Sequence, residues 1–177
     1  MPDADQLGEG ITAYRSSSVW NDMLTEQQIQ EIHREALRYP LKRAAAAEAL
    51  KVVQRACGWV SDEHLCEAAA LLDMTPAEMD SIATFYSLIY RRPVGRHVIL
   101  ICDSVSCYVM GYESLRDALL ARLGIERLGQ TSPDGRFTLL PVPCLGACDL
   151  APAILIDQDL HGPVEATRLD EILERYE

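Results

Sequence analysis

Lysine is nearly absent from this chain. Lys42 and Lys51 are the only two in 177 residues, and 27 acidic side chains outnumber 16 lysines and arginines, giving a formal net charge of −11. Phosphate backbones are held by clustered Lys and Arg, so this balance excludes a nucleic-acid-binding role. No apolar run reaches the roughly 20 residues that a membrane-spanning helix needs. The opening MPDADQLGEG is acidic and polar, which fits neither a signal nor a transit peptide and leads to the expectation of a reducing cytoplasmic setting. Nucleotide-binding fingerprints are missing too. There is no G-x-G-x-x-G after a predicted strand and no G-x-x-x-x-G-K-[ST], so dinucleotides and nucleoside triphosphates are not expected here. What remains is an ordinary globular composition, 49% hydrophobic and 24% charged, long enough for one or two domains with a real core. Six cysteines then become the informative residues, because regularly spaced thiols in a reducing compartment point to metal or redox chemistry more than to disulfides.

Residues 1–22 show no apolar period and contain the run Ser16-Ser17-Ser18, so they read as a flexible or partner-bound arm. From 23 to about 90 the pattern is helical. Thr25 and Gln28 form a capping box ahead of Ile29, Ile32, Ala36 and Leu37, and Pro40 follows as a stop. A second helix crosses Ala44–Ala49 with a seam of Leu50, Val53 and Cys57 and ends at Gly58. Ser61 opens a third, with Asp62 and Glu63 in its first turn and Leu65, Ala69 and Leu72 as its seam. Thr75, Pro76 and Glu78 open a fourth that carries Met79, Ile82 and Ala83. Four short helices predict a compact bundle.

The period changes after Arg91-Arg92-Pro93. His97–Cys102 and Phe137–Val142 read as buried strands, Ala153–Ile156 as another, Gly111–Leu123 as a helix stopped by Gly124, and a last helix is expected behind Thr167 as cap. Residues 91–177 therefore predict helices packed on a small sheet, an α/β layer behind an all-helical half.

Four cysteines lie in two loops that follow strands. Cys102 and Cys107 form C-x4-C after the first, and Cys144 and Cys148 form C-x3-C after the second. A [2Fe–2S] cluster needs two thiolates on each of its two irons, and two pairs on facing loops meet that need. Small residues, here Gly146 and Ala147, allow backbone N–H groups to reach sulfur. A four-cysteine zinc site, two disulfides or unligated thiols are the alternatives that spacing leaves open. Cys57 and Cys66 sit on predicted helix faces and read as core residues. Asp103 and Asp149 each follow a candidate ligand. Such carboxylates either oppose reduction of the cluster or are ordinary solvated loop residues. His33 and His64 read as helix-surface residues, His97 and His161 as strand or turn residues. Phe85, Tyr86 and Tyr90, beside Arg91-Arg92, read either as a partner surface or as the lid closing the bundle on the second domain.

The stretches Gly58–Val60 (GWV), Ala83–Ser87 (ATFYS), Pro93–Ile99 (PVGRHVI), Cys102–Cys107 (CDSVSC) and Asp134–Pro152 (DGRFTLLPVPCLGACDLAP) resemble the small peripheral iron–sulfur subunit of bacterial respiratory complex I, the NuoE family. The resemblance runs from about residue 24 to the C-terminus. It implies a four-helix N-terminal bundle followed by a thioredoxin-like [2Fe–2S] ferredoxin domain, with one cluster held by Cys102, Cys107, Cys144 and Cys148. It also implies an electron-transfer subunit of NADH:quinone oxidoreductase with no substrate site of its own. FMN and NADH would sit on a neighbouring flavoprotein subunit, NuoF, next to the large iron–sulfur subunit NuoG. Membrane contact would come only through the complex, on the cytoplasmic side of the inner membrane. The same motifs also fit a diaphorase subunit of an NAD-linked hydrogenase or formate dehydrogenase, or a stand-alone thioredoxin-like ferredoxin.

Overall fold

The structure is a computed structural model that describes residues 23–176. The arm expected over 1–22 lies outside the described residues. The chain divides into two compact units, the first ending at Arg91 and the second beginning at Arg92.

Among the described residues the first unit holds four α-helices: α1 (Glu26–Ala36), α2 (Ala46–Cys57), α3 (Asp62–Leu71) and α4 (Pro76–Phe85). Their starts follow from local chemistry. Thr25 and Thr75 each head a complete capping box, with Gln28 and Glu78 returning a bond to the cap residue's own N–H. Ser61 caps α3 through the N–H of His64. At the end of α2, Gly58 takes φ +78°, a left-handed conformation that a side chain would oppose. The helices share a core built around Ile32, Leu50, Val53, Leu72 and Met79, each almost fully buried. Burying such side chains is worth about 1.5–3 kcal/mol apiece, which is what holds helices this short.

Three expectations fail in this unit. Leu37, placed on the seam of the first helix, is 86% exposed at the C-cap of α1, in line with the exposed His33 four residues before it. His64, read as a surface residue, is only 6% exposed. Its ring is drawn inward between Ser61 Oγ, 3.1 Å from Nδ1, and Cys57 Sγ, 3.9 Å from Nε2. Cys66, read as core, is exposed, since the buried face of α3 is set by Leu65, Ala68 and Ala69; Cys57 is half-buried against the bundle core.

The second unit is built on a four-stranded mixed sheet in the order β2-β1-β3-β4, with β1 His97–Cys102, β2 Phe137–Val142, β3 Ile154–Ile156 and β4 Asp159–His161. Strand β1 is central and its last five residues are all buried, as expected for an unbroken apolar run with neighbours on both edges. It pairs in parallel with β2 and antiparallel with β3. Between β1 and β2 lie a five-residue helix α5 (Val105–Val109) and the longer α6 (Tyr112–Leu123). Leu115, Leu119 and Leu123 of α6 pack into the core with Ile99, Ile101, Leu139 and Ile154. Helix α7 (Leu169–Leu173) adds Leu169 and Ile172 to the same core.

Thr167 does not cap this last helix. It lies within a 3-10 turn, Ala166–Arg168, that leads into α7, and its hydroxyl bonds to the Glu165 carboxylate at 3.4 Å. Helix α5 and strand β4 are not evident from the sequence pattern. One is too short to show a period, and the other reads as a polar turn but is recruited by the edge of β3.

Candidate functional site

The parallel pairing of β1 and β2 sets the site. Their register runs from His97 opposite Phe137 to Cys102 opposite Val142. Both strands therefore end at the same sheet edge, and the loops leaving them start side by side. The Asp103 N–H donates to the Val142 carbonyl at 3.1 Å, which ties the two exits together. On the other side of β1, the Cys102 N–H donates to Ala153 O at 3.2 Å.

Cys102, at the end of β1, and Cys107, within α5, are both buried. Burial opposes the Cys102 thiolate. Against it stand hydrogen bonds to its sulfur from the N–H groups of Ser104 and Leu145, the Cys107 thiol and the Ser104 hydroxyl; together they prevail and hold the Cys102 thiol below its ordinary range. Leu145 belongs to the second loop, so the two loops meet at this sulfur. Cys107 is shifted the other way: burial pushes it up, and the neighbouring Cys102 adds to this, although the Ala153 N–H bonds to its sulfur.

Cys144 and Cys148 are exposed on the second loop. The Gly146 N–H donates to Cys144 Sγ at 3.3 Å, and Gly146 has φ +77°, so glycine is what allows the loop to fold its own amide onto the sulfur. Cys148 opens a short 3-10 turn to Leu150, closed by the Leu150 N–H on Ala147 O at 3.0 Å. Cys148 is among the groups whose electrostatic influence raises Cys107, which puts the second pair within electrostatic reach of the first. Asp103 and Asp149 are exposed, as solvated loop carboxylates are.

The sequence profile described as thioredoxin-like [2Fe-2S] ferredoxin matches residues 32–177 of this chain. The chain belongs to that family. It is 47% identical over 154 residues to the E subunit of NADH-quinone oxidoreductase from Pseudomonas aeruginosa, covering 87% of this chain and 92% of that protein. Against the Escherichia coli K12 protein of the same description it is 46% identical over 153 residues, covering 86% and 92%. Among solved structures, an NAD+-reducing [NiFe]-hydrogenase in the H2-reduced state superposes with a TM-score of 0.65 at 27% identity. That match covers 75% of this chain and 22% of the longer hydrogenase chain. As a family member, this chain is an electron-transfer subunit of an oxidoreductase complex and carries one [2Fe–2S] cluster.

The donor set suits the family's group. Four thiols lie on two adjoining loops, and the Gly146 N–H already donates to the sulfur of one of them. Among the described residues, no three His, Cys, Asp or Glu side chains converge where a single metal ion would sit. Sequence reasoning placed the loops after their strands but gave no sign of the Gly146 N–H bond to Cys144, which depends on loop conformation.

Proposed function

We propose that Cys102, Cys107, Cys144 and Cys148 hold the [2Fe–2S] cluster of an E subunit of NADH:quinone oxidoreductase. The supporting observation is the β1–β2 register, which delivers both cysteine pairs to one sheet edge in a chain that is 47% identical to such a subunit. The cluster, when bound, takes up and returns one electron. The protein's part is to hold the sulfurs, to aim N–H groups at them and to exclude water from the Cys102–Cys107 side.

In this reading FMN and NADH are bound by a flavoprotein subunit, NuoF, and the large iron–sulfur subunit NuoG lies alongside. Residues 91–177 form the cluster-bearing domain and residues 23–90 the helical bundle, a division that the boundary after Arg91 supports. The complex works on the cytoplasmic side of the bacterial inner membrane. Among the described residues no helix is long and apolar enough to cross a membrane, which fits membrane contact made through other subunits.

A second reading, the equivalent diaphorase subunit of a hydrogenase, is favoured by the TM-score of 0.65 to the NAD+-reducing enzyme. Native isolation of the tagged chain, followed by iron, sulfide and FMN analysis and by quinone- and hydrogen-linked assays, separates the two. Co-purification with a flavoprotein and quinone reductase activity is the expected result. Hydrogen-dependent NAD+ reduction selects the second reading, and a chain emerging alone with iron and sulfide defeats both.

A further inference from the structure

In the first unit, α1, α2 and α3 bring Gln28, Cys57 and His64 to one point. Cys57 is the last residue of α2 and is half-buried. His64 Nε2 lies 3.9 Å from its sulfur, and Gln28 Nε2 donates to the same sulfur at 3.9 Å. The imidazole, in a residue only 6% exposed, is held from its other side as well. Ser61, the N-cap of α3, accepts the His64 backbone N–H on Oγ at 3.2 Å, and that oxygen stands 3.1 Å from Nδ1. A hydroxyl oxygen has two lone pairs. With the ring proton on Nδ1, Ser61 Oγ accepts both N–H groups and the Nε2 lone pair faces the thiol. A nucleophile beside a base that a third group orients is the arrangement that activates a cysteine.

We propose that Cys57 is a peroxide-reactive thiol for which His64 is the base. Burial pushes the Cys57 thiol up, against the Gln28 bond, so the group is protonated near neutral pH and needs a base to react. The co-reactant is a hydroperoxide, hydrogen peroxide in the simplest case. Sulfur attacks one peroxide oxygen, an S–O bond forms and the O–O bond breaks. The thiol proton passes to His64 Nε2 and on to the departing oxygen. Sulfur loses two electrons and the peroxide gains them, so Cys57–SH and ROOH become Cys57–SOH and ROH. The Gln28 amide, already donating to the sulfur, is placed to bond the new oxygen. The cluster takes no part in this step.

Cys66 provides an internal control. It is the more exposed of the two thiols, and among the described residues no imidazole bonds to it. Exposure alone makes Cys66 the faster to oxidise, whereas base assistance makes it Cys57.

The test treats the full chain, cluster in place, with sub-stoichiometric hydrogen peroxide, traps sulfenic acid with dimedone and reads each cysteine by peptide mass spectrometry. In the wild type, Cys57 is expected to be labelled about tenfold faster than Cys66, the base outweighing the lesser exposure. His64→Gln, which keeps a polar side chain but no base, is expected to slow Cys57 about a hundredfold and leave Cys66 unchanged, so that the order reverses. Faster labelling of Cys66 in the wild type overturns the proposal, as does the absence of label at Cys57. An unchanged Cys57 rate in folded His64→Gln overturns it too, since the imidazole is then not the base. The first comparison lies within the wild type and decides the matter where His64→Gln does not fold.

Discussion

Cys102 and Val142 stand opposite each other on the last rung of the parallel β1–β2 ladder. The rest of the site follows from that pairing. One step further along, Asp103 bonds back to Val142, and both chains then turn out of the sheet with a cysteine pair each. A one-residue slip would reverse the face of every side chain in β2 and move the second loop out of reach.

The cysteines divide by role, and substitution should reveal it. Cys144 is exposed and contributes no packing, so Cys144→Ala is expected to abolish the cluster while leaving far-UV circular dichroism unchanged. Cys66→Ala, also at an exposed position, is expected to keep full iron and sulfide content. Iron and acid-labile sulfide analysis of the two purified variants checks both statements. A Cys144→Ala protein with normal iron would remove Cys144 from the ligand set.

Gly146 is a second point of control. Its φ of +77° lets its N–H reach Cys144 Sγ, and no atom stands within 4 Å of where a Cβ would lie. The cost of Gly146→Ala is therefore conformational, roughly 1–2 kcal/mol for a non-glycine residue in the left-handed region. The expected outcome is a loop that relaxes, loses the N–H bond to sulfur and releases iron faster to a chelator. The global unfolding midpoint of the domain should barely change, because the loop is exposed. Chelator kinetics against thermal unfolding measures the split.

Much of this molecule can be read from its sequence, for identifiable reasons. Helix starts are local: Thr25, Ser61 and Thr75 announce themselves through their caps. Strand β1 announces itself as an apolar run, and the four-cysteine spacing gives the loops. His64 is buried with its ring between Ser61 and Cys57, a placement decided by neighbours in space that periodicity does not encode, and Leu37 falls in line with exposed His33 at the end of α1. The family resemblance, resting on long motifs, named the fold that the isolated elements left open.

The C-terminal segment should be sensitive to acid. His161 Nε2 lies 2.7 Å from the Tyr176 hydroxyl, which donates to Asp159 Oδ2 at 3.0 Å, and Arg136 Nη2 holds the Leu173 carbonyl at 2.6 Å. Burial lowers His161 below its ordinary value, with Arg175 adding to the effect and Asp159 opposing it. Burial likewise pushes Tyr176 up to about 12, reinforced by its bond to Asp159, so the phenol stays protonated. The unfolded chain binds the histidine proton near pH 6.5, more readily than the folded chain. Stability from this group is thus fully present above about pH 6.5 and declines as the pH falls toward the lower folded value. Urea midpoints at pH 7.5 and 5.5 should differ more for the wild type than for His161→Phe. Equal differences would show that His161 is not the titrating group.

Arg91 ties together the entry to α3 and the side of α4. Its guanidinium donates to the Val60 carbonyl and to Asp62, and its Nε donates to Asp80 Oδ1 at 2.9 Å. The arginine side chain is 19% exposed whereas Asp62 is 87% exposed, so the ion pair with Asp62 is largely screened. The carbonyl bond matters more, because Val60 is fully buried. Arg91→Ala is expected to destabilise the bundle by about 1–3 kcal/mol, the cost of leaving a buried acceptor unpaired. Asp62→Ala is expected to cost about 0.5 kcal/mol or less. Arg91→Lys should recover little of the loss, because one ammonium cannot span the three acceptors that a planar fork reaches. Urea denaturation of the three variants checks the order. A loss in Asp62→Ala equal to that in Arg91→Ala would place the energy in the ion pair instead of the carbonyl.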